Sequence, residues 1–178
     1  HGFGYDSNLL GRMAPPRRPH EVWVSDTTYI KTRDGWCYLA ATMDLHSRYI
    51  VGWSLSTAND SELTASALEK ARRSHGGLGV LHHSDRGSTY ASNRFRESLG
   101  KLDAVGSMSR KGNCYDNAAM ESFFGTLKAE CVQGLEYRDA EQAHRSLFSY
   151  VEGFYNTRRI HTSIGKAPLD KLTEAICE

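Results

Sequence analysis

The sequence is short of the features that would send it to a membrane or out of the cell. No apolar run approaches the roughly 20 residues needed to cross a bilayer, and no charged, apolar, small-residue signal heads the chain. The expected location is the cytoplasm. Cysteine is sparse: Cys37, Cys114, Cys131 and Cys177 are widely spaced and contain no Cys-x-x-Cys pair. That spacing argues against a zinc ribbon, and an intracellular setting argues against disulfides, so buried thiols are expected. An excess of one charge is also missing. The formal net charge of +1 excludes a histone-like polycation, yet it leaves room for a DNA-binding groove, because binding depends on where charge sits. Basic pairs stand at Arg17-Arg18, Arg72-Arg73, Arg110-Lys111 and Arg158-Arg159.

Proline is scarce too, and three of the four, Pro15, Pro16 and Pro19, fall in the first 20 residues. Residues 1–20 therefore read as a linker or arm, partly extended, lying on a partner. At 178 residues the rest is long enough to bury one real core and too short for two. The chain begins at His1 rather than Met, which suggests a piece of a longer protein.

Ordered structure is expected from Glu21. Val22 to Ile30 is rich in β-branched and aromatic residues. Arg33-Asp34-Gly35 signals a hairpin in which Asp-Gly supplies positive φ angles. Strands follow over Trp36 to Met43 and Arg48 to Leu55, joined by an Asp44-Leu45-His46-Ser47 turn in which Asp44 bonds local backbone. A helix from Asp60 to His75 is capped by Asp60 or Ser61 and ended by Gly76-Gly77. A short strand, Gly79 to His83, precedes Asp85. A helix over Tyr90 to Leu99, a strand over Ala104 to Met108, a helix bearing Glu121 and a long helix over Asp139 to Tyr155 complete the pattern. Three antiparallel strands followed by alternating strand and helix imply an α/β domain with a five-stranded mixed sheet flanked by helices.

Chemistry is suggested by three acids. Asp26 lies mid-strand between Val24 and Thr28 on one face, where an unpaired charge is costly. Asp85 lies where a buried strand ends and a glycine turn begins. On the Glu121 helix, Asn117, Glu121, Gly125 and Lys128 share a stripe, while Met120, Phe123, Phe124, Leu127 and Cys131 form the packed side. If the first and fourth strands are neighbours, the three carboxylates meet. Such a cluster needs divalent cations, and hard oxygen ligands suit Mg²⁺ or Mn²⁺. Each acid also has an ordinary explanation. Asp85 could cap its turn, Glu121 could be a solvated helix acid, and Asp26 could pair with Arg48 or Lys31. Asp116 reads as a helix N-terminal residue. Of His82 and His83, neighbours on a strand, at most one could reach the site, and packing roles are expected.

Fifty-eight residues separate Asp26 from Asp85, and thirty-five separate Asp85 from Glu121. With His82-His83-Ser84-Asp85-Arg86-Gly87-Ser88 at the middle acid and Asn117-Ala118-Ala119-Met120-Glu121-Ser122-Phe123-Phe124 at the last, the sequence resembles the DDE transposases of bacterial insertion sequences. These group with retroviral integrase catalytic cores. The likeness extends through Trp23 to Tyr29, Asp44 to Arg48 and Phe154 to His161. One departure is Thr89, where such sequences more often have Gln. The resemblance implies a ribonuclease H-like fold, with an integrase-type catalytic core over residues 21–155 and a C-terminal basic tail over 156–178. It implies that Asp26, Asp85 and Glu121 bind two Mg²⁺ ions, with Mn²⁺ able to substitute, and catalyse cleavage of DNA at element ends and transfer of the 3′-hydroxyl into target DNA. Asn117, Lys128, Arg110 and Lys111 would contact DNA, while Arg158, Arg159 and His161 would meet DNA or a neighbouring protomer. The implied partners are double-stranded DNA, a second or further copy of the chain on that DNA, and a missing N-terminal DNA-recognition region. The competing expectations are a ribonuclease H-like nuclease that cuts without joining, and an inactive DNA-binding or assembly module.

Overall fold

A computed structural model describes residues 5–109 and 117–174 of the chain. Five strands, β1 (Val22–Thr32), β2 (Gly35–Asp44), β3 (Ile50–Ser56), β4 (Leu81–Ser84) and β5 (Val105–Met108), form one sheet in the order β3-β2-β1-β4-β5. The first three are antiparallel neighbours; β4 joins β1 in parallel and β5 joins β4 in parallel. The mixed sheet expected from the strand pattern is therefore present. Helices α1 (Ser61–His75), α2 (Asn93–Gly100), α3 (Ala118–Leu127), α4 (Ala140–Tyr150) and α5 (Pro168–Glu174) surround it.

Alternation along β1 divides the core in two. Val22, Val24 and Ile30 face α3 and α4, packing with Met120, Phe123, Leu127 and Leu147. Trp23 faces the other way, into a cluster with Leu68 and Ala71 of α1 and Phe95 and Leu99 of α2. The α1 layer sits so close to the sheet that a Cβ on Gly52 would lie 2.3 Å from the Ala67 carbonyl oxygen. Asp60 caps α1, accepting from the Leu63 amide at 3.0 Å, as its place before the helix implies. Asp44, fully buried, accepts from the Ser47 amide and hydroxyl and from the His20 amide, which is the turn-making role expected of it.

Several boundaries differ from expectation for identifiable reasons. The hairpin turn is Arg33-Asp34, with Thr32 opposite Gly35. Gly35 alone carries the positive φ, 134°, and the Arg33 and Asp34 amides donate to the Tyr137 and Arg138 carbonyls. Tertiary contact, not an Asp-Gly turn, holds the hairpin end. The second helix begins at Asn93 because Ser92 caps it, accepting from the Phe95 amide at 3.1 Å, while Tyr90 and Ala91 belong to a turn closed on the Gly87 carbonyl. Helix α2 ends at Gly100, and the chain turns at Asp103 with φ 50°. Both α3 and α4 pass into π-helical turns, Lys128–Val132 and Val151–Tyr155, which re-aim their final side chains.

The segment after Tyr155 contributes to the core. Asn156 is fully buried, accepting from the Ile50 amide at 2.9 Å and donating to the Ile50 carbonyl at 3.1 Å. Helix α5 follows, with Leu172 buried. At the other end, the arm lies on this chain's own edge strand: the Leu9 and Leu10 amides donate to Ser107 Oγ, and the Met108 amide to the Ser7 carbonyl. Cys37 and Cys131 are buried free thiols, as expected; Cys114 and Cys177 lie outside the described residues.

Replacing Asn156 with Leu leaves two buried backbone groups of Ile50 without partners, at about 1–3 kcal/mol each. Urea unfolding of Asn156→Leu is expected to show a loss of about 2 to 4 kcal/mol with an unchanged m-value. A loss below about 0.5 kcal/mol would mean that β3 does not depend on this clamp.

Candidate active site

Parallel pairing aligns the first two acids. Val22 sits opposite Leu81 and Val24 opposite His83, so the same register carried two residues further sets Asp85 opposite Asp26. Ser84 ends β4 and frees the chain to turn. The Asp85 carboxylate accepts from the Gly87 amide at 2.7 Å. A Cβ at Gly87 would stand 2.8 Å from that oxygen, so glycine leaves the carboxylate room to fold over its own turn. Asp26 accepts from the Thr27 amide at 2.8 Å. Both acids line an open cleft of about 250 Å³ with Thr28, Tyr38, Asn59 and Tyr90.

Glu121 stands on the first turn of α3, exposed, while Met120, Phe123, Phe124 and Leu127 anchor that helix against the sheet. Its charge reaches Asp26. Burial, opposed by the Thr27 hydrogen bond and reinforced by the charges of Asp85 and Glu121, pushes the Asp26 carboxyl up to about 6. Asp26 thus senses the charge of both other acids, although among the described residues no three His, Cys, Asp or Glu side chains close into a metal cage. Three like charges resist a closer approach. The donor set suits a hard divalent cation: oxygen ligands only, one of them holding its proton tightly because it is buried and, to a lesser degree, because two acids are near.

The remaining expected residues fall in different places. Lys128 lies 4.4 Å from the Tyr29 ring centroid, on the surface flanking α3. Asn117, placed by helical period on the exposed stripe, is buried with 8% exposure, and its Oδ1 has no partner. The helix begins only at Ala118, so helical spacing does not extend to it. Arg110, Lys111 and Asp116 lie outside the described residues. Arg159 forms an ion pair with Glu130 at 2.8 Å, which Tyr150 Oη also bonds. His161 packs edge-on against Tyr155. His82 and His83 are both buried. His82 Nε2 lies 2.8 Å from Ser25 Oγ and His83 Nδ1 2.9 Å from Ser107 Oγ, and neither lines the cleft. They support the strands beneath it, the packing role expected of them.

Tyr90 was not foreseen. Its hydroxyl lies 3.2 Å from Thr27 Oγ1, and burial, with the nearby charges of Asp26 and Asp85, raises its pKa well above the ordinary phenol value. It stays neutral under the acids. Its only sequence signal is a position five residues past Asp85, in a stretch that reads equally well as helix.

The family model described as integrase core domain matches residues 16–114, and a second of the same description matches 105–168. The chain belongs to the integrase core family. This integrase core is 41% identical over 165 residues to the transposase for insertion sequence element IS904 of Lactococcus lactis, covering 92% of this chain and 65% of that protein. It is 40% identical over 166 residues to the transposase InsF for insertion sequence IS3A of Escherichia coli K12, covering 93% of this chain and 58% of that protein. It therefore spans about three-fifths of the length of the curated relatives it matches. Among solved structures it superimposes on a chain of the simian T-cell lymphotropic virus intasome in complex with a PP2A regulatory subunit, with TM-score 0.73, 18% identity, 97% of this chain and 59% of that one. The catalytic core domain of HTLV-2 integrase in complex with magnesium gives TM-score 0.63 at 18% identity, over 86% of this chain and 97% of that one. The ribonuclease H-like fold is thus shown. Among the described residues no helix is long and apolar enough to cross a membrane.

The raised Asp26 carboxyl sets the sign of a stability effect. The folded chain keeps a proton between about pH 4 and 6 that the unfolded chain has released, so Asp26's contribution is full below about 4 and lost as pH rises through about 6. In the absence of metal, Asp26→Asn is expected to be more stable than the parent by about 1 to 3 kcal/mol at pH 8, with the difference vanishing near pH 4. Urea melts at the two pH values measure it. A less stable variant would make Asp26 an ion-pair partner.

Proposed function

We propose that the chain is the catalytic domain of a bacterial insertion-sequence transposase, which cleaves DNA at element ends and transfers the freed 3′-hydroxyl into target DNA. The carrying observation is the acid arrangement: Asp26 and Asp85 line one cleft by strand register, and the charge of Glu121 is felt there. Curated relatives named as transposases match along nearly the whole chain, and a solved neighbour of the same fold is in complex with magnesium.

In this reading Asp26, Asp85 and Glu121 hold Mg²⁺, two ions per site, with Mn²⁺ as a substitute. When bound, the metal supplies charge neutralisation at the scissile phosphate and activation of the attacking oxygen. The protein's part is positional. β1 and the β4 end hold two carboxylates on a rigid sheet, α3 presents the third, and neutral Tyr90 with Thr27 fills the space beneath them without adding charge. Lys128, just past the end of α3, and Lys111 with Arg110 ahead of that helix in sequence would bind DNA phosphates, fixing the strand's position without reading sequence. Joining two DNA ends requires at least two copies on DNA.

Calorimetric titration of Mn²⁺ into the parent, Asp85→Asn and Glu121→Gln tests the reading alongside plasmid nicking and joining in Mn²⁺. Saturable binding is expected, weakened at least about tenfold by either change, with nicking lowered at least about 100-fold and melting temperatures unchanged or raised. Unchanged metal binding in either variant would separate the three acids. Nicking with no joined product would favour a nuclease of the same fold.

A further inference from the structure

A second surface feature lies where the β1–β2 hairpin meets the C-terminal end of α3. Tyr29 and Trp36 are 56% and 49% exposed, large rings that the core does not use. On the ladder Tyr29 faces Tyr38 and Lys31 faces Trp36, which puts Tyr29 and Trp36 on one diagonal of the same sheet face. The two rings meet edge to face, with centroids 5.1 Å apart and planes at 85°. Between them and α3 runs a groove of about 420 Å³, bordered by Gly125, Lys128, Ala129 and Gln133. A Cβ built on Gly125 would meet nothing within 4 Å, so this side of the groove is open to an incoming group.

The charge is one-sided. Lys31 and Lys128 border the groove, and no Asp or Glu does among the described residues. An aromatic platform flanked by cations suits a ligand that joins a flat π face to a negative charge, which is the make-up of a nucleotide. The groove shares one lining residue with the acid cleft: Tyr29 borders both, three residues along β1 from Asp26, so the groove neighbours a strand lying across the acids. Lys128 covers the Tyr29 ring, leaving the half-exposed Trp36 ring as the stacking face.

We propose that this groove receives an unpaired nucleobase of DNA, stacked on Trp36 against the edge-to-face support of Tyr29, with Lys31 and Lys128 against its flanking phosphates. The strand's path rests on the DNA-processing reading above; the groove's affinity for an unstacked base does not. The site would favour frayed or overhanging DNA ends over fully paired ones.

The test compares two short duplexes in EDTA, one ending in a single unpaired 2-aminopurine and one blunt with the 2-aminopurine paired. The full chain is expected to bind the overhang roughly tenfold more tightly, the size of one base–aromatic stack, and to quench its emission. Trp36→Ala and Tyr29→Ala should abolish both the preference and the quench, and Trp36→Phe should restore most of each. Both positions are half-exposed, and unchanged melting temperatures will show that the variants are folded. Equal affinity of the parent for the two duplexes overturns the proposal, as does a preference that survives Trp36→Ala. Altered self-association in Trp36→Ala with DNA binding intact also overturns it, by making the patch a protein interface. Tight blunt-end binding without overhang preference sinks the base site and spares the transposase reading. Overhang preference in a chain that never cuts DNA in Mn²⁺ does the reverse, and failure to bind either duplex removes both.

Discussion

Parallel pairing of β1 with β4 sets the geometry on which the candidate site depends. The ladder between these strands ends at Val24 and His83, two residues before each acid. Asp26 and Asp85 are therefore carried side by side at the point where the ladder opens, held by backbone bonds strong enough to oppose carboxylate repulsion. Everything else in the domain supports that junction. α3 is anchored by Met120, Phe123 and Leu127 on the Asp26 face, and α1 and α2 close the other face around Trp23 and Phe95.

Behind the acids, two separate sets of buried polar side chains tie the strands together. Thr42, Ser25 and His82 form a chain of hydrogen bonds across β2, β1 and β4, each 2.8 Å long, while His83 reaches Ser107 on β5, which also receives the arm's Leu9 and Leu10 amides. Burial pushes the His82 imidazole down to about 3, so it acts as a neutral polar link between strands. Such a network fixes strand positions more specifically than apolar packing, because a slip in register leaves buried polar atoms without partners. A site that must hold like charges in place benefits from that rigidity.

Much of this was legible in the sequence because its signals were local and periodic. The β-branched run of β1, the Asp60 cap and the Met120-Phe123-Phe124-Leu127 face each state a structure by themselves. What failed to read through were features made by tertiary contact. Asn117 fits a helical stripe numerically, yet the helix starts one residue later. Asp34-Gly35 has the composition of a two-residue turn, yet Tyr137 and Arg138 hold the hairpin another way. Asn156 sits among basic residues, and nothing nearby announces that its amide clamps β3 over one hundred residues away. That Ser7, Leu9 and Leu10 of the arm bond to β5 has no signal in the sequence. Within the candidate site, spacing and neighbouring residues single out the three acids, whereas Tyr90 and the Tyr29–Trp36 platform depend on which strands become neighbours in space.

The proposal's central claim is that Asp26, its carboxyl raised by burial and by the charges of Asp85 and Glu121, shares a bound cation with them. The most direct measurement is a ¹³C NMR titration of the Asp26 side-chain carboxyl, with and without Mg²⁺. The expected result is a titration near pH 6 in EDTA that moves below about 4 with saturating Mg²⁺. A carboxyl that titrates near 4 in both conditions would contradict the account, since Asp26 would then sense neither its neighbours nor a cation.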